Sequence, residues 1–350
     1  MDLERVKRFA GDIALKRAGA SAVLLSYLGD KLDIWRAMAG AGPLDSGELA
    51  ARTGLSERHL REWLAAQAVA GHVIYDPGRG TFELPDEHAA VLADPDSPAY
   101  QGGGLECAAA FWLAADRIAE DFRTGRGVGW HEHDPRLFSG VARFFEPLYR
   151  TALVGQWLPA LDGVADRLRE GAHVLDVGCG HGGSTVLMAQ TYPQSHFMGV
   201  DYHEESIAAA REAAKRAGVA DRVEFLVADA HSYPAGSWDL ICFFDALHDM
   251  GDPLGAAARA RASLAPGGAV MVVEPFARDR LEDSIGSLVA LSYYTASTMV
   301  CVPNSLAQDG AALGAQAGPD ALAEMLRLAG FGRVRTALET DFNLVLEARP

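Results

Sequence analysis

The chain has 350 residues with a formal net charge of −16 at pH 7, and its composition is 49% hydrophobic and 22% charged. This length predicts two domains of an ordinary globular protein, and the acidic balance disfavours a nucleic-acid partner, because binding a polyanion depends on lysine and arginine. No apolar run is long enough to span a membrane, and four well-separated cysteines indicate neither a zinc site nor disulfides, so we expect a cytoplasmic protein without a metal site.

Residues 1–95 have the pattern of a winged-helix domain. Ser46 and Ser56 are typical helix caps, and apolar residues follow each of them at helical spacing. The stretch HVIYDPGRGTFEL, residues 72–84, places turn residues between two β-prone runs and predicts a hairpin. A winged helix can read DNA, which would make the chain a ligand-sensing regulator. However, the helix after Ser56 balances its arginines with glutamates, whereas DNA readers present a basic face.

Residues 96–168 are predicted to be a helical connector that is rich in aromatic residues. Within it, the segment WHEHDP contains His131 and His133, which are two residues apart and suit a shared metal ion on a strand. We find no third ligand at helical spacing, so this segment is interpreted as a solvated loop between domains.

From residue 169 to residue 350, β-prone runs alternate with helical runs. This alternation predicts an α/β fold with a doubly wound, mostly parallel sheet of seven strands, in which the last two form an antiparallel pair. Residues 279–318 interrupt the pattern as an irregular helical insertion. The five predicted parallel strands are HVLDV, HFMGVD, VEFLVAD, WDLICFFDA and AVMVVEP.

A glycine-rich loop follows the first of these strands in HVLDVGCGHGGST, residues 173–185. Gly178 and Gly180 allow the backbone to turn tightly and to approach a ligand closely. The same loop also fits the dinucleotide pattern GxGxxG through Gly183, so a redox enzyme is the alternative. The carboxylate of Asp176, two residues before the first glycine, would repel a pyrophosphate but favours a cation or an amino group.

Acidic residues also end the second and third strands. Asp201 lies about 20 residues after the loop, where an acceptor for ribose hydroxyl groups belongs in either kind of nucleotide site. Asp229, in VADAH, stands where an adenine amino group can be bound. Together with DVGCGHG and the Pro-Gly-Gly before the fifth strand, these residues resemble the class I S-adenosylmethionine-dependent methyltransferases over about residues 165–350.

The resemblance implies that S-adenosylmethionine is the cofactor and S-adenosylhomocysteine the product. It implies that the glycine loop holds the methionine end, that Asp201 binds the ribose and that Asp229 with Ala230 binds the adenine. The cofactor-binding residues that we predict are Asp176, Gly178, Cys179, Gly180, Asp201, Tyr202, Asp229, Ala230 and Phe244.

The segment FFDALHDMGDP, residues 243–253, resembles the LHDWxD segment of the winged-helix small-molecule O-methyltransferases. In that group the histidine is the general base and a glutamate that ends strand five orients it, which implies these catalytic roles for His248 and Glu274. It also implies a small, aromatic or hydrophobic, hydroxyl-bearing acceptor and a winged-helix domain used for homodimer contacts and as a substrate lid.

This sequence departs from that pattern in two places. Met250 replaces the tryptophan of the segment, and Gln316 aligns loosely with a second flanking glutamate. A histidine that only fixes the loop, and carbon or nitrogen methylation without a base, therefore remain alternatives. We also expect Asp249 to cap the helix that begins near residue 253.

Overall fold

The structure, a computed structural model, describes all residues from 1 to 350. The chain forms two compact units, of which one comprises Met1–Trp112 with Ser139–Pro147 and the other Leu113–Phe138 with Leu148–Pro350. Each unit has its own hydrophobic core. Among the helices, none combines the length and the apolar character that crossing a lipid bilayer requires.

The regular elements follow one another in chain order. The helices are α1 Leu3–Lys31, α2 Ile34–Met38, α3 Ser46–Thr53, α4 Glu57–Val69, α5 Asp86–Leu92, α6 Gly102–Thr124, α7 Pro135–Leu148, α8 Leu158–Ala160, α9 Val164–Glu170, α10 Gly183–Thr191, α11 Glu204–Arg216, α12 Pro253–Ala262, α13 Leu288–Ala296, α14 Val302–Leu306 and α15 Pro319–Leu328. The strands are β1 Ile74–Asp76, β2 Thr81–Glu83, β3 His173–Val177, β4 His196–Asp201, β5 Val223–Val227, β6 Trp238–Phe244, β7 Leu264–Pro275, β8 Arg333–Glu339 and β9 Asn343–Arg349. Short 3-10 turns cover Trp130–Glu132, Leu247–Asp249 and Leu281–Ser284, and π-helical turns cover Tyr149–Trp157 and Ser297–Cys301.

The first unit contains the predicted winged helix, because α3 and α4 are followed by the antiparallel hairpin of β1 and β2. The prediction that Ser46 caps the first of these helices was wrong. Asp45 is the N-cap, and it forms a reciprocal capping box in which its side chain accepts from the Glu48 N–H and its own N–H donates to the Glu48 carboxylate. Ser56 stands at the N-cap position of α4, as predicted, but its hydroxyl makes no cap hydrogen bond and instead lies 3.0 Å from Nδ1 of His59.

A partly buried ionic cluster links three helices of the first unit. Arg143 of α7 donates to Asp30 of α1 at 2.7 Å and to Glu106 of α6 at 2.7 Å. Tyr100 also donates to Asp30, at 2.8 Å. The side chains of Asp30 and Glu106 are only 6% and 13% exposed, so water compensates their charges poorly and the guanidinium of Arg143 stabilises them instead.

The long helix α1 leaves much of its apolar surface exposed. Large hydrophobic side chains on it are open to solvent along its length, namely Leu3, Val6, Phe9, Ile13, Leu15, Val23, Leu24 and Leu28. Such a surface on an amphipathic helix is compatible with a protein contact. The homodimer stays a prediction.

The second unit is built on a seven-stranded sheet in the order β5-β4-β3-β6-β7-β9-β8. The strands β3 to β7 pair in parallel, while β9 is antiparallel to both β7 and β8. This arrangement confirms the predicted α/β fold class. The strand order reverses between β3 and its two neighbours, β4 and β6, and the carboxyl ends of these strands form the edge where ligands bind in open parallel sheets.

Candidate active site

The glycine loop lies at this carboxyl edge, between β3 and α10. Gly178, Gly180 and Gly182 all have positive φ angles, of 78°, 51° and 76°, which side chains of L-residues rarely adopt. A Cβ atom on Gly182 would lie 2.6 Å from the Phe225 ring, so this position packs against the sheet. A Cβ atom on Gly180 would meet nothing within 4 Å. The loop is therefore packed from below and open above Gly180.

Asp176 supports the loop from within the protein. Its side chain is fully buried, and one carboxylate oxygen accepts from the hydroxyl groups of Ser184 and Thr185, each at 2.6 Å. The other oxygen, Oδ1, has no hydrogen-bond partner. Burial raises the pKa of Asp176 to about 6, although the two hydroxyl donors oppose this shift. Asp176 thus anchors the first turn of α10 and retains one unsatisfied acceptor.

Asp201 joins the glycine loop to the end of β4. Its carboxylate accepts from the N–H of Gly180 at 3.0 Å and from the N–H of His203 at 2.9 Å. Burial raises the pKa of Asp201, while these two backbone donors favour its charged form. The side chain is only partly buried, so its remaining lone pairs can accept from a ligand. Tyr202, the next residue, donates its hydroxyl proton to Asn304 at 3.3 Å.

The other predicted cofactor residues fall into two groups. Asp229 is exposed after β5 and accepts from the N–H groups of His231 and Ser232, each at 2.8 Å, in a turn that also contains Ala230. The second group has buried side chains. Cys179 lies under the loop, and Phe244 packs beside the rings of Tyr149 and Trp157 in the core.

His248 and Glu274 come together because β6 and β7 are neighbours in parallel register, with Phe244 opposite Val273. The imidazole Nδ1 is hydrogen-bonded to Oε2 of Glu274. The two residues are 4% and 1% exposed. Burial disfavours the charged imidazole, but the Glu274 carboxylate holds the pKa of His248 well above its usual range. A carboxylate on Nδ1 fixes the ring orientation and makes the other nitrogen more basic.

The second imidazole nitrogen has a partner that the sequence did not suggest. Nε2 of His248 lies 3.3 Å from the Sγ atom of Cys301, in the π-helical turn Ser297–Cys301. Gln316 does not take this place, because its amide donates to the carbonyl groups of Phe276 at 3.2 Å and of Ala315 at 2.9 Å. A π-helical turn is often found at functional sites.

Two smaller predictions about this region need correction. Asp252, not Asp249, caps α12 with a hydrogen bond from the Gly255 N–H at 2.7 Å. His133 is buried rather than solvated, at 8% exposure, and burial lowers its pKa. His131 lies in the 3-10 turn just before it.

Asp245 is a further acidic residue that sequence analysis did not single out. It follows β6 directly and has a φ angle of 49°, which is unusual for a residue other than glycine. Asn343 donates to it at 3.2 Å, and burial raises its pKa well above the usual range. Its position directly after a predicted strand is the sequence feature that could have marked it as a candidate site residue.

These features fit an amino-acid-bearing nucleoside. The space over Gly180 admits a ligand against bare backbone, and the free Oδ1 atom of Asp176 and the carboxylate of Asp201 suit amino and hydroxyl donors. The His248–Glu274 pair lies on the same edge and supplies a group that can exchange a proton.

Comparisons with known proteins show the family to which the chain belongs. Residues 168–330 match the model of a methyltransferase domain, and residues 19–94 match that of an Rv2258c-like winged HTH domain. The acetylserotonin O-methyltransferase of Mus musculus is 31% identical over 279 residues, which are 73% of this chain and 69% of that protein.

Two other curated relatives align over shorter regions. The 27-O-demethylrifamycin SV methyltransferase of Amycolatopsis mediterranei is 37% identical over 29% of this chain, and the trans-aconitate 2-methyltransferase of Acidovorax ebreus is 34% identical over 41% of it. The matched regions are only 38% and 50% of those proteins' lengths.

Solved structures share the fold along almost the whole chain. The mitomycin 7-O-methyltransferase MmcR has a TM-score of 0.74 at 21% identity, covering 99% of this chain and 100% of its own. Human N-acetylserotonin methyltransferase in complex with SAM has a TM-score of 0.68 at 20% identity, covering 98% and 97%. S-adenosylmethionine is thus the cofactor for which this fold is built, and the chain belongs to the S-adenosylmethionine-dependent methyltransferases that carry an N-terminal winged-helix domain.

Proposed function

We propose that the protein transfers a methyl group from S-adenosylmethionine to a hydroxyl oxygen of a small aromatic or hydrophobic molecule. The observation that carries this proposal is the buried pair of His248 and Glu274 on the same sheet edge as the glycine loop. Relatives named for the methylation of hydroxyl oxygens, such as acetylserotonin O-methyltransferase, support it. We propose cofactor contacts for Asp176, Gly178, Cys179, Gly180, Asp201, Tyr202, Asp229, Ala230 and Phe244.

The proposed mechanism follows from the chemistry of the acceptor. When bound, S-adenosylmethionine supplies a methyl group on a positively charged sulfur. A phenol has a pKa of about 10, so deprotonating it in advance at neutral pH would cost about 4 kcal/mol. In our proposal, Nε2 of His248 would accept the hydroxyl proton as the methyl group passes to the oxygen and its bond to sulfur breaks with the electron pair left on sulfur, and Glu274 would stabilise the resulting imidazolium.

The substitution His248→Gln tests this proposal, because glutamine keeps a polar side chain but cannot take up the proton. A panel of hydroxylated aromatic compounds first provides an accepted substrate. We then expect turnover to fall by roughly 10²–10⁴-fold, while calorimetry gives an unchanged affinity for S-adenosylhomocysteine. His196→Gln, at an exposed histidine at the start of β4, is the control. An unchanged turnover in His248→Gln would remove the base assignment.

A second candidate is carbon or nitrogen methylation in which His248 only positions the acceptor. One observation favours it: both imidazole nitrogens have partners within the protein, and the Glu274 carboxylate favours the protonated ring. A positioning histidine would leave turnover of an amine or carbon acceptor within about a factor of ten in His248→Gln. The same acceptor panel, extended to amines, distinguishes the two candidates.

The alternative to an enzyme is a regulator that binds DNA through its winged helix, and the charges of α4 argue against it. Arg58 pairs with Glu62 at 2.6 Å and Arg61 with Glu57 at 2.7 Å, so the arginines of this helix are neutralised locally. We therefore propose that the winged helix has no nucleic-acid partner. A mobility shift of non-specific DNA at low salt would contradict this proposal.

We also propose that the chain forms a homodimer through the exposed apolar surface of α1. Phe9→Glu places a charge within the N-terminal part of this surface, where Phe9 is 66% exposed. The expected result is a shift from dimer to monomer mass in light scattering. A wild-type protein that is monomeric at micromolar concentration would contradict the proposal.

A further inference from the structure

Asn304, in the short helix α14 of the insertion, has a set of contacts that the proposed mechanism does not use. The residue is 3% exposed. Its Nδ2 donates to the carbonyl oxygen of Asp249 at 3.0 Å. Its Oδ1 accepts from the N–H of Trp130 at 2.8 Å and from the Tyr202 hydroxyl at 3.3 Å. One side-chain amide therefore connects three segments that are distant in sequence.

The orientation of this amide is fixed by its partners. A backbone carbonyl can only accept and a backbone N–H can only donate, so exchanging the two ends of the Asn304 amide would oppose like groups at both. Burial raises the pKa of Tyr202 well above its usual range, so its hydroxyl keeps the proton that it donates to Oδ1. All donors and acceptors in this junction are thus satisfied only in the observed arrangement.

Two of the three partners are sequence neighbours of proposed functional residues, and one of them, Tyr202, is itself a proposed cofactor contact. Tyr202 directly follows Asp201, which accepts from the glycine loop, and Asp249 directly follows His248. Asn304 therefore joins the end of β4, where the cofactor is expected, to the turn that carries the histidine.

Other residues of the insertion hold the same turn but form no hydrogen bond with the end of β4. Ser305 donates its hydroxyl proton to the carbonyl of Met250 at 2.8 Å. The N–H of Gly314 donates to the carbonyl of His248 at 3.0 Å. The insertion thus supports the turn at several points, and Asn304 differs from them because it also binds Tyr202.

We propose that Asn304 is a positioning residue that couples occupancy of the cofactor site to the ordering of the turn that carries His248. The inference rests on the proposed function for the role of His248, but the coupling itself concerns only the cofactor site and the turn. Such coupling is a free energy shared between two sites, so it must be measured as an effect of ligand at one on the other.

This coupling can be measured by hydrogen exchange in the full-length chain. The exchange rates of the backbone amides of residues 247–252 are compared with and without saturating S-adenosylhomocysteine. In the wild-type protein we expect the ligand to slow exchange in this turn by about fivefold or more. In Asn304→Ala, calorimetry defines the concentration that saturates the site, and we expect the ligand then to leave exchange in the turn unchanged. Ser305→Ala, which removes a support of the same turn, should retain the slowing by ligand.

Equal slowing by ligand in Asn304→Ala and in wild type would overturn the proposal, as would the absence of slowing in saturated wild type. If Asn304→Ala does not fold, Tyr202→Phe decides, because it removes the hydroxyl link to Asn304; since Tyr202 is itself a proposed cofactor contact, calorimetry again defines the concentration that saturates this variant. A reduced slowing in Tyr202→Phe supports the coupling, and an undiminished one refutes it. An unchanged turnover in His248→Gln would refute the base assignment alone, so the two failures are distinguishable.

Discussion

Gly180 offers the sharpest test of the cofactor site, because the fold tolerates a methyl group there and a ligand should not. Its φ angle is 51°, and a Cβ atom would meet nothing within 4 Å. The substitution Gly180→Ala therefore costs only the strain of the left-handed backbone, about 1–2 kcal/mol. At about 2–4 °C per kcal/mol, the melting temperature should fall by only several degrees.

Gly218→Ala is the matched control for this strain. Gly218 follows α11 with a φ angle of 69°, and a Cβ atom there would also lie in open space. Both variants should lose similar stability in a thermal melt. Only Gly180→Ala places a methyl group where the cofactor would contact the loop, so its affinity for S-adenosylhomocysteine should fall at least about tenfold, or 1.4 kcal/mol. Equal affinities of the two variants in calorimetry would refute our assignment of the loop.

Three further predictions concern protonation and stability. Because the pKa of His248 is raised and only the neutral ring accepts a proton, turnover should rise with pH through an inflection above 6.5, and a profile with the same inflection in His248→Gln would contradict this. The Asp176 carboxyl, with a pKa of about 6, is charged above that pH, so cofactor affinity should weaken as pH falls from 7.5 to 5; calorimetry should show a smaller dependence for Asp176→Asn, in which Asp201 still titrates, and an equal dependence in the two proteins would contradict this. Arg143→Ala leaves two poorly exposed carboxylates without their partner and should cost about 2–4 kcal/mol in a denaturant titration, whereas an unchanged midpoint would show that the cluster contributes little.

The fold could be predicted because its signals are local and repeated. Short β-branched runs alternate with helical runs, and the five parallel strands lie close to where this pattern predicted them. The main difference is that β7 begins at Leu264 and includes the Pro-Gly-Gly that was expected to precede it. The contact between His248 and Glu274 was implied by the resemblance of the LHD segment, and the parallel pairing of β6 with β7 explains how the fold brings the two residues together. Their chemical roles remain predictions.

The contacts supplied by the insertion could not be predicted, because they depend on long-range packing. Cys301 is 53 residues from His248 in sequence and reaches it from a π-helical turn, which shifts side chains relative to the ordinary helical spacing. Asn304 has no local pattern that distinguishes it from any other buried amide. Only the tertiary structure shows which carbonyl group accepts from its amide and which N–H group donates to it.

The errors over helix caps have a simpler physical origin. In LDSGELA, both Asp45 and Ser46 are good capping residues, and the choice depends on which one has Glu48 three positions later to complete the reciprocal pair. Likewise Asp252, rather than Asp249, stands immediately before the proline that opens α12. In both helices the capping residue is therefore the one at the correct distance from a second residue: three positions before Glu48 in α3 and one position before Pro253 in α12.

The thiol of Cys301 has a consequence for how an acceptor enters. A thiol is a weak hydrogen-bonding group, so the proposed hydroxyl acceptor would replace it beside Nε2 of His248 with a gain in bond strength. A serine hydroxyl at the same place would compete with this acceptor on nearly equal terms. Under the proposed mechanism, the sulfur would therefore occupy the second imidazole nitrogen in the free protein and give way to a hydroxyl-bearing acceptor.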